Sequence, residues 1–596
     1  MRRLSGVPLV LFAAAALLLP AAGAGAKASP ALAEPEVEAL FLLHHPRGLN
    51  RFVRAVSDPA SASYRDYASV ETLVQRFGAS REDRNATLRW LARRGLRGTV
   101  APTGTYVTAV LPRRSVARLL PSEAGAQASG PGRLAPAVPA PLRDAVSRIA
   151  LLSTRPAAID NAIAARRRDL GAKPKGKAYT SIMPHSGTAS GCAAGSSGGQ
   201  GPPLEPFTPN QYLTAYGQAA MQAKGLRGQG QTIAVVEIDG FRHSDVATFD
   251  KCFGVETPPI RVIPTAIKKP LPPSDETTLD LEMLSVGAPK VDRILVYEGL
   301  ESQGGIALTA GSALGSPGNR PDVISISLGI CEPEYSGSLA LKDIYDNIFA
   351  IAAGAGISTL VSSGDTGSSG CRTQNGEEET TAQPLRAVSL PSSSPYVTAV
   401  GGTNLKLSKR NRIDEEVVWN DLPIQPGGGG GGASIVSPRR PWWQSGVHRY
   451  GPGRIVPDIA ALADIYPGFA YFCTAKACAD LPQTVPGWTS IGGTSAAAPL
   501  MASGVALANQ YAAQHGQRPL GFLNPLLYKL GASAKTRAGA FTDVTKGNND
   551  LGRLLPPEAG GGHPLGCCHA RVGYDWASGW GSLKVPGLAK LALAAD

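Results

Sequence analysis

From about residue 205 onward, short apolar runs alternate with longer stretches whose apolar positions recur every three to four residues. Thr232–Ile238, Arg293–Glu298, Val323–Leu328, Ser358–Ser362 and Tyr396–Val400 are β-branched, near-continuous apolar runs, the pattern of strands buried on both faces. Between them, Leu339–Ala352 places Leu341, Ile344, Tyr345 and Ile348 on one helical face. Such alternation predicts an α/β fold, a mostly parallel sheet with helices on both faces. Chemistry in such sheets sits just past the carboxyl ends of the strands. Residues 35 to about 125 read as a separate, smaller mixed unit. Val70–Phe77 and Asn85–Arg94 carry helical periodicity there, and Thr105–Leu111 alternates like a strand. Ala, Pro and Gly dominate from about 127 to 150, and a helical patch runs on to Leu170. Gly171–Pro203 is Gly-, Ser- and Lys-rich without periodicity, which predicts an exposed linker open to proteolysis. The Pro-Gly-rich segment Gln425–Trp443, with its run Gly427–Gly432, reads as a long mobile surface loop.

With 596 residues the chain is long enough for more than one domain. A formal net charge of +12 raises the possibility of an acidic partner. Arg81, Arg84, Arg89, Arg93, Arg94 and Arg97 crowd one stretch and Arg166–Arg168 another. No zinc-finger spacing or aromatic-basic interleaving accompanies them, so nucleic acid is excluded as the partner. The basic stretch is expected to dock on acidic protein surface, within this same chain. At the front, Arg2 and Arg3 precede an apolar run from Val7 to Leu19 and a small-x-small site, Ala24-Gly25-Ala26. That is the layout of a secretory signal over residues 1–26. The run is shorter than the roughly 20 residues of a membrane span, so a secreted, extracellular protein with no membrane association after signal removal is expected. Export permits disulfides, and the eight cysteines are an even number. Cys473 and Cys478 can close a small loop, and Cys331 and Cys371 each follow a predicted strand end. Sequence does not pair Cys192, Cys252, Cys567 and Cys568. The last two, near His563 and His569, lack the separated pairs of a zinc site, and disulfide use is the expectation.

Candidate chemistry begins at Ile491-Gly-Gly-Thr-Ser-Ala-Ala-Ala-Pro-Leu500. Gly492 and Gly493 permit a tight turn, and Ala496–Tyr511 is rich in helix formers. Ser495 is thereby presented at the positive end of a helix. Pro499 frees the carbonyl four residues back, on Ser495 itself. The same pattern fits an ordinary N-cap serine, so a base must decide. None of the eight histidines follows a predicted strand beside an acidic orienter, although His243 comes close. In Ser274–Met283, Glu276 and Asp280 are four apart, on one face of a largely apolar helix. Two neighbouring carboxyls can share a proton, and one can then accept a proton from a serine in acid. Ser362-Ser-Gly-Asp-Thr-Gly367 ends another strand, and a protonated Asp365 there could donate to a developing oxyanion.

Glu-x-x-x-Asp, Ser-Gly-Asp and Gly-Thr-Ser-x-x-x-Pro, in that order, resemble the sedolisins, the serine-carboxyl peptidases that include kumamolisin-like enzymes and tripeptidyl peptidases. The resemblance covers nearly the whole chain. It implies a subtilisin-like catalytic domain over 205–596, a ferredoxin-like propeptide over 27–170 and activation cleavage in the 171–204 linker. It assigns Glu276 as base, Asp280 as its helper, Asp365 to the oxyanion hole and Ser495 as nucleophile. Val236-Glu237-Ile238 matches a strand whose Glu extends the carboxylate network in some members. Those members have Ser-Trp-Gly where this chain has Ser327-Leu328-Gly329. A single Ca2+ is implied near the C-terminus, held by Asp543 and Asp575 with the carbonyls of Val544, Arg571 and Gly573. Ser57-Asp-Pro59, Tyr64 and Trp90-Leu91 resemble the family's propeptide, and Thr208-Pro-Asn-Gln-Tyr212 its mature start. The expectation is therefore a secreted, acid-active endopeptidase and a monomer, acting on protein or peptide substrates and inhibited by its own propeptide. A tripeptidyl peptidase and a catalytically dead secreted binding protein are the alternatives.

Overall fold

The computed structural model describes residues 36–120, 137–153, 163–164, 187–197, 205–316, 318–332, 339–369, 386–422, 427–447, 452–481, 485–552 and 564–594. The apolar N-terminal run, Arg166–Arg168, Cys371, His185, His448 and His563 lie outside them.

The front unit is built from β1 (Glu36–Leu43), α1 (Leu49–Ser57), α2 (Val70–Phe77), α3 (Arg81–Ala92), β2 (Gly98–Val100), β3 (Tyr106–Pro112), α4 (Arg113–Leu119) and β4 (Val146–Ser153). Its antiparallel sheet has the order β2-β3-β1-β4, as the ferredoxin-like expectation requires. The strand β4 falls where an Ala-Pro-Gly connection was expected. Ser69 and Ser80 cap α2 and α3 by accepting from the backbone N–H groups of Thr72 and Asp83, which fixes both helix starts. Strand β1 buries both faces. Ala39, Phe41 and Leu43 join Trp90 and Leu91 in a core of the front unit, while Leu40 and Leu42 belong to the main core. Period-two alternation puts these sets on opposite sides.

The sheet's second face therefore packs on the large body. Thr105 Oγ1 donates to Asn347 Oδ1 at 3.2 Å, Tyr67 Oη to the Leu520 carbonyl at 3.0 Å and Arg65 Nη2 to the Ala592 carbonyl at 3.1 Å. The expected docking of the Arg81–Arg97 stretch is not what the chain does. Helix α3 packs mainly on elements of its own unit, and among the described residues none of those six arginines forms an ion pair with the large body. Arg94 stacks on Trp90, 3.9 Å from the ring centroid, and Arg84 and Arg93 turn back to carbonyls of their own helix. Apolar faces bury more free energy than solvated arginines can return through exposed pairs.

A short strand, β5 (Ile163–Ala164), follows. The large body contains β6 (Thr232–Glu237), β7 (Ile260–Pro264), α5 (Glu276–Gly287), β8 (Arg293–Glu298), α6 (Gln303–Ser312), β9 (Val323–Ile326), α7 (Leu339–Gly354), β10 (Ser358–Ser362), β11 (Thr398–Leu407), β12 (Ile413–Val418), β13 (Ile459–Leu462), β14 (Phe469–Phe472), β15 (Trp488–Gly492), α8 (Thr494–Gln514), β16 (Phe541–Thr542), β17 (Ser582–Leu583) and α9 (Val585–Leu593). Strands pair in the order β16-β17-β13-β11-β10-β9-β6-β8-β7, with β12 alongside β11. From β17 to β7 every pairing is parallel. Front-unit helices α1 and α2 pack on α7, which covers one face of this sheet.

Two connecting segments differ from expectation. Gly187–Ser197 is fastened to the body: Cys192 is disulfide-bonded to Cys252, and Thr188 N donates to Asn411 Oδ1 at 2.6 Å. The run Gly427–Gly432 is buried rather than a mobile surface loop. Gly430 N donates to the Gly364 carbonyl at 2.7 Å and Gly428 N to the Asp365 carbonyl at 2.9 Å. A Cβ at Gly430 would stand 2.1 Å from the Ser363 carbonyl oxygen, so only glycines let this strand of chain lie against the turn. Cys473 pairs with Cys478 and Cys567 with Cys568, and Cys331 is disulfide-bonded to a residue outside the described set.

Candidate active site

Strand β15 ends in Gly492, and α8 begins at Thr494. Between them Gly493 has φ +123°, a backbone that side chains resist, and its turn delivers Ser495 into the first turn of the helix. Ser495 is buried, and its Oγ donates to the Ser327 carbonyl at 3.3 Å. Pro499 leaves the Ser495 carbonyl without its helical N–H, and that oxygen lies 3.1 Å from Ser327 Oγ as acceptor. The same hydroxyl donates to Asp280 Oδ1 at 2.7 Å. Ser327 has one proton for two acceptors. When Asp280 itself holds a proton it can donate to Ser327, whose own proton then goes to the Ser495 carbonyl. Ser327 was not singled out from sequence; its position just after β9 was the one available signal.

Helix α5 is buried along its full length, although it carries Glu276, Asp280 and Glu282. It packs against α8, and its Asp280 meets the Ser495 segment through Ser327. Burial, together with the charges of Asp280, Asp239 and Glu276, pushes Glu237 well above the usual carboxylate range. Burial raises Asp280 to about 7, against the pull of hydrogen bonds from Ser327 and Glu237. Burial thus holds both carboxyls toward their protonated forms. The Glu237 carboxyl is buried, and Leu328 is a buried apolar side chain with no N–H to donate.

Asp365 sits in the turn after β10, buried, with burial raising it to about 6. Its Oδ1 accepts from Thr494 N at 2.7 Å and Thr494 Oγ1 at 2.8 Å, while Gly364 N donates to Thr494 Oγ1 at 3.0 Å. One carboxyl oxygen is thereby anchored at the start of α8, next to Ser495. The other, Oδ2, is buried with no hydrogen-bond partner. A buried bare oxygen is costly unless it carries a proton for an incoming acceptor. Thr494, the anchor, lies inside the Gly-Thr-Ser motif, which by itself assigns it no role. Strand β5 pairs antiparallel with β15, Ile163 opposite Gly492 and Ala164 opposite Ile491. Chain from the front unit therefore lies along the strand that leads into Ser495.

A subtilase family model matches residues 279–521, and a model of the pro-kumamolisin activation domain matches residues 28–125. Kumamolisin of Bacillus sp. strain MN-32 is 34% identical over 360 residues, 58% of this chain and 58% of that protein. Mouse tripeptidyl-peptidase 1 is 28% identical over 575 residues, 91% of this chain and 89% of that protein. The structure of Pseudomonas sedolisin, a serine-carboxyl proteinase complexed with two molecules of pseudo-iodotyrostatin, superposes with a TM-score of 0.53 at 26% identity, over 65% of this chain and 98% of that one. The chain is related to the sedolisin family of serine-type peptidases. The front unit is its activation domain. Among the described residues no helix is long and apolar enough to cross a membrane.

The calcium ion implied for sedolisins can be tested against these residues. Asp543 Oδ2 accepts from Gly573 N at 2.8 Å, and its Oδ1 is buried with no hydrogen-bond partner. Asp575 is buried and accepts from the N–H groups of Arg571 at 2.8 Å, Ala577 at 2.9 Å and Ser578 at 2.8 Å. Among the described residues no three His, Cys, Asp or Glu side chains gather as metal ligands, so a calcium ion here would need backbone carbonyls for part of its shell. Two carboxylates, one with a bare buried oxygen, and the carbonyls of Val544, Arg571 and Gly573 are hard oxygen donors that fit calcium.

Proposed function

We propose that the chain is a secreted, acid-active serine-carboxyl endopeptidase made as a self-processing zymogen. Ser495 Oγ attacks the peptide carbonyl and gives its proton to Glu276, with Asp280 supporting the charge from one turn further along α5. The oxygen that becomes negative is met by a proton on Asp365 Oδ2. Collapse expels the amine, which takes the proton held by Glu276, and water, deprotonated in turn by Glu276, hydrolyses the acyl-enzyme. The observation that carries this reading is the divided environment of Asp365. One oxygen is tied to Thr494 and the other is buried and bare. That is the disposition of a neutral acid waiting to donate, and it requires acid. A calcium ion held by Asp543, Asp575 and the carbonyls of Val544, Arg571 and Gly573 would tie the C-terminal turns together.

The strand β5 supports a zymogen whose cleft is occupied by its own chain. Cleavage that frees the propeptide is expected before Cys192, because a cut beyond it would leave the propeptide tethered through Cys192–Cys252. A tripeptidyl-peptidase mode is the second reading, favoured by the extent of similarity to tripeptidyl-peptidase 1 along the chain. The experiment is a time course of the full-length protein shifted to about pH 4 beside Ser495→Ala, following chain length, casein cleavage and the new N-terminus. Processing and casein digestion by the wild type alone support the reading. Release of N-terminal tripeptides only moves it to the exopeptidase, and an active Ser495→Ala protein overturns it.

A further inference from the structure

Helix α5 does not cap itself. Asp275, the residue before it, has an α-helical backbone and makes no side-chain cap; its Oδ1 accepts from Ser274 Oγ at 2.8 Å instead. The open first-turn N–H is taken by a residue from another element. Thr277 N donates to Asp239 Oδ1 at 3.1 Å, and Thr277 Oγ1 lies within hydrogen-bond distance of both the same carboxylate oxygen and the Asp239 carbonyl, the latter at 3.0 Å. Asp239 stands two residues beyond Glu237, where the chain leaves β6. Its neighbour Gly240 is strapped to the approach of α5, donating to the Pro272 carbonyl and accepting from Ser274 N, each at 2.8 Å.

We propose that Asp239 is a positioning residue for this peptidase: it supplies the N-cap that Asp275 leaves open, and through Thr277 it fixes the turn of α5 that carries Glu276 and Asp280. A carboxyl oxygen at a helix N-terminus accepts from the open N–H whether or not the acid is ionised. Side-chain oxygens reaching from β6 tie the helix to the sheet, so the base is registered against the strands that frame the cleft rather than against its own loop. The charged and titratable groups acting with Asp239 are Asp275, Glu237, Asp280 and Tyr471. All are acidic or phenolic. Burial raises Asp239 to about 6, so above that pH its negative charge also favours protons on Glu237 and Asp280. This inference rests on the reading of Glu276 and Ser495 given above.

The test uses the matured enzyme and its Asp239→Ala, Asp239→Asn and Thr277→Val variants, with active-site titration, kcat and KM from about pH 3 to 7, and melting temperature. Losing the cap should lower kcat roughly 10- to 100-fold in Asp239→Ala, and losing only the hydroxyl contacts should lower it less, by up to about tenfold, in Thr277→Val, while KM moves less than about threefold in both, because misplacement of a base costs rate. Asp239→Asn keeps an acceptor for Thr277 and should recover to within about fivefold of wild type. Its alkaline limb of kcat/KM should move to lower pH, since a charge that favoured protonation of Asp280 and Glu237 is gone. A wild-type kcat in Asp239→Ala, or an Asp239→Asn enzyme as impaired as Asp239→Ala with an unmoved limb, overturns the proposal. Should Asp239→Ala fail to fold, Asp239→Asn and Thr277→Val decide it by the same criteria. If Ser495→Ala or Glu276→Gln stays active, the reading of the site itself has failed; if both are dead and Asp239→Ala is unimpaired, only the positioning role has.

Discussion

Two helices of this chain carry conspicuous charge and meet opposite fates. Helix α3 gathers arginines and leaves them in solvent or stacked on its own unit, with Arg94 over Trp90. Helix α5 carries Glu276, Asp280 and Glu282 and buries every one. A charged cluster on a chain is thus no guide to function until burial is known. In α3 the arginine stems cover apolar surface and the heads keep their water, which costs nothing. In α5 desolvation makes ionisation expensive, so protons stay on carboxyls at pH values where free acids have lost them. Chemistry follows the second case.

The contrast breaks most sharply by mutation of α5. Glu276→Gln and Asp280→Asn should each reduce kcat/KM in acid by roughly 10,000-fold or more, as removal of a member of an interdependent set does. Replacing Arg81, Arg89 and Arg93 together by Gln should leave the matured enzyme's rate unchanged, because the propeptide is gone by then. Peptide hydrolysis by titrated enzyme measures both. A large loss from the arginine set in the matured enzyme would void the comparison.

Next in size is Asp365. Asp365→Ala should cost about 100- to 1,000-fold in kcat with little change in KM, the magnitude of an oxyanion donor. Asp365→Asn retains an N–H donor without needing acid, so its residual activity should extend to higher pH than the wild type's. A KM effect with unchanged kcat would move Asp365 out of the reaction and into substrate binding. Ser327→Ala should act more gently, about tenfold in kcat, by removing the donor to a buried Asp280 oxygen. Its signature is a displaced pH profile, since Asp280 loses a hydrogen bond that lowers it.

How much of this was readable beforehand follows physical lines. The strands β8 and β10 and the helix α2 are found at the boundaries their local pattern predicts, because period and capping residues are local. The positions of Glu276, Asp280, Asp365 and Ser495 were legible because each lies in a short motif with its own turn chemistry. What was not legible depends on partners far along the chain. Strand β4 looked like linker because its apolar content only makes sense beside β1, more than a hundred residues earlier. The run Gly427–Gly432 looked mobile because glycine permits both freedom and close approach, and only the Ser363–Asp365 backbone decides between them. Thr494 and Ser327 lie in short motifs that give neither a role of its own, and Asp239 carries no local mark. Each matters through hydrogen bonds to residues in different elements.

Buried acids also set how the fold responds to pH, with a smaller effect than on catalysis. Asp365 rises from 3.8 to about 6 on folding, and Asp280 from 3.8 to about 7. The native state binds these protons more tightly than the unfolded chain, so the stabilisation is complete below about pH 4 and is lost as pH climbs through 6 to 7. A two-unit shift corresponds to about 3 kcal/mol, so Ser495→Ala protein, which cannot digest itself, should melt several degrees higher at about pH 4 than at pH 7. Adding Asp365→Asn should flatten that difference in part. A melting point that falls steadily toward acid would mean that these carboxyls are ionised in the folded protein.

The smallest expected effect concerns the propeptide. Between the activation domain and the large body the described ion pairs are Arg148–Asp343 at 3.3 Å and Asp66–Arg518 at 3.4 Å, and all four side chains are at least 44% exposed. Pairs of that kind contribute little and are screened further by salt. The contact that matters is apolar, through Leu40 and Leu42 on the second face of β1, together with neutral hydrogen bonds such as Tyr67 to Leu520. Propeptide added in trans to the matured enzyme should therefore inhibit with a Ki that changes by less than about threefold between low and high salt at neutral pH. The Arg81/Arg89/Arg93 set should leave that Ki within about twofold, whereas Leu40→Asp should abolish inhibition by burying a charge in an apolar face. Strong salt sensitivity would return the arginines of α3 to the interface and remove the distinction between the two helices.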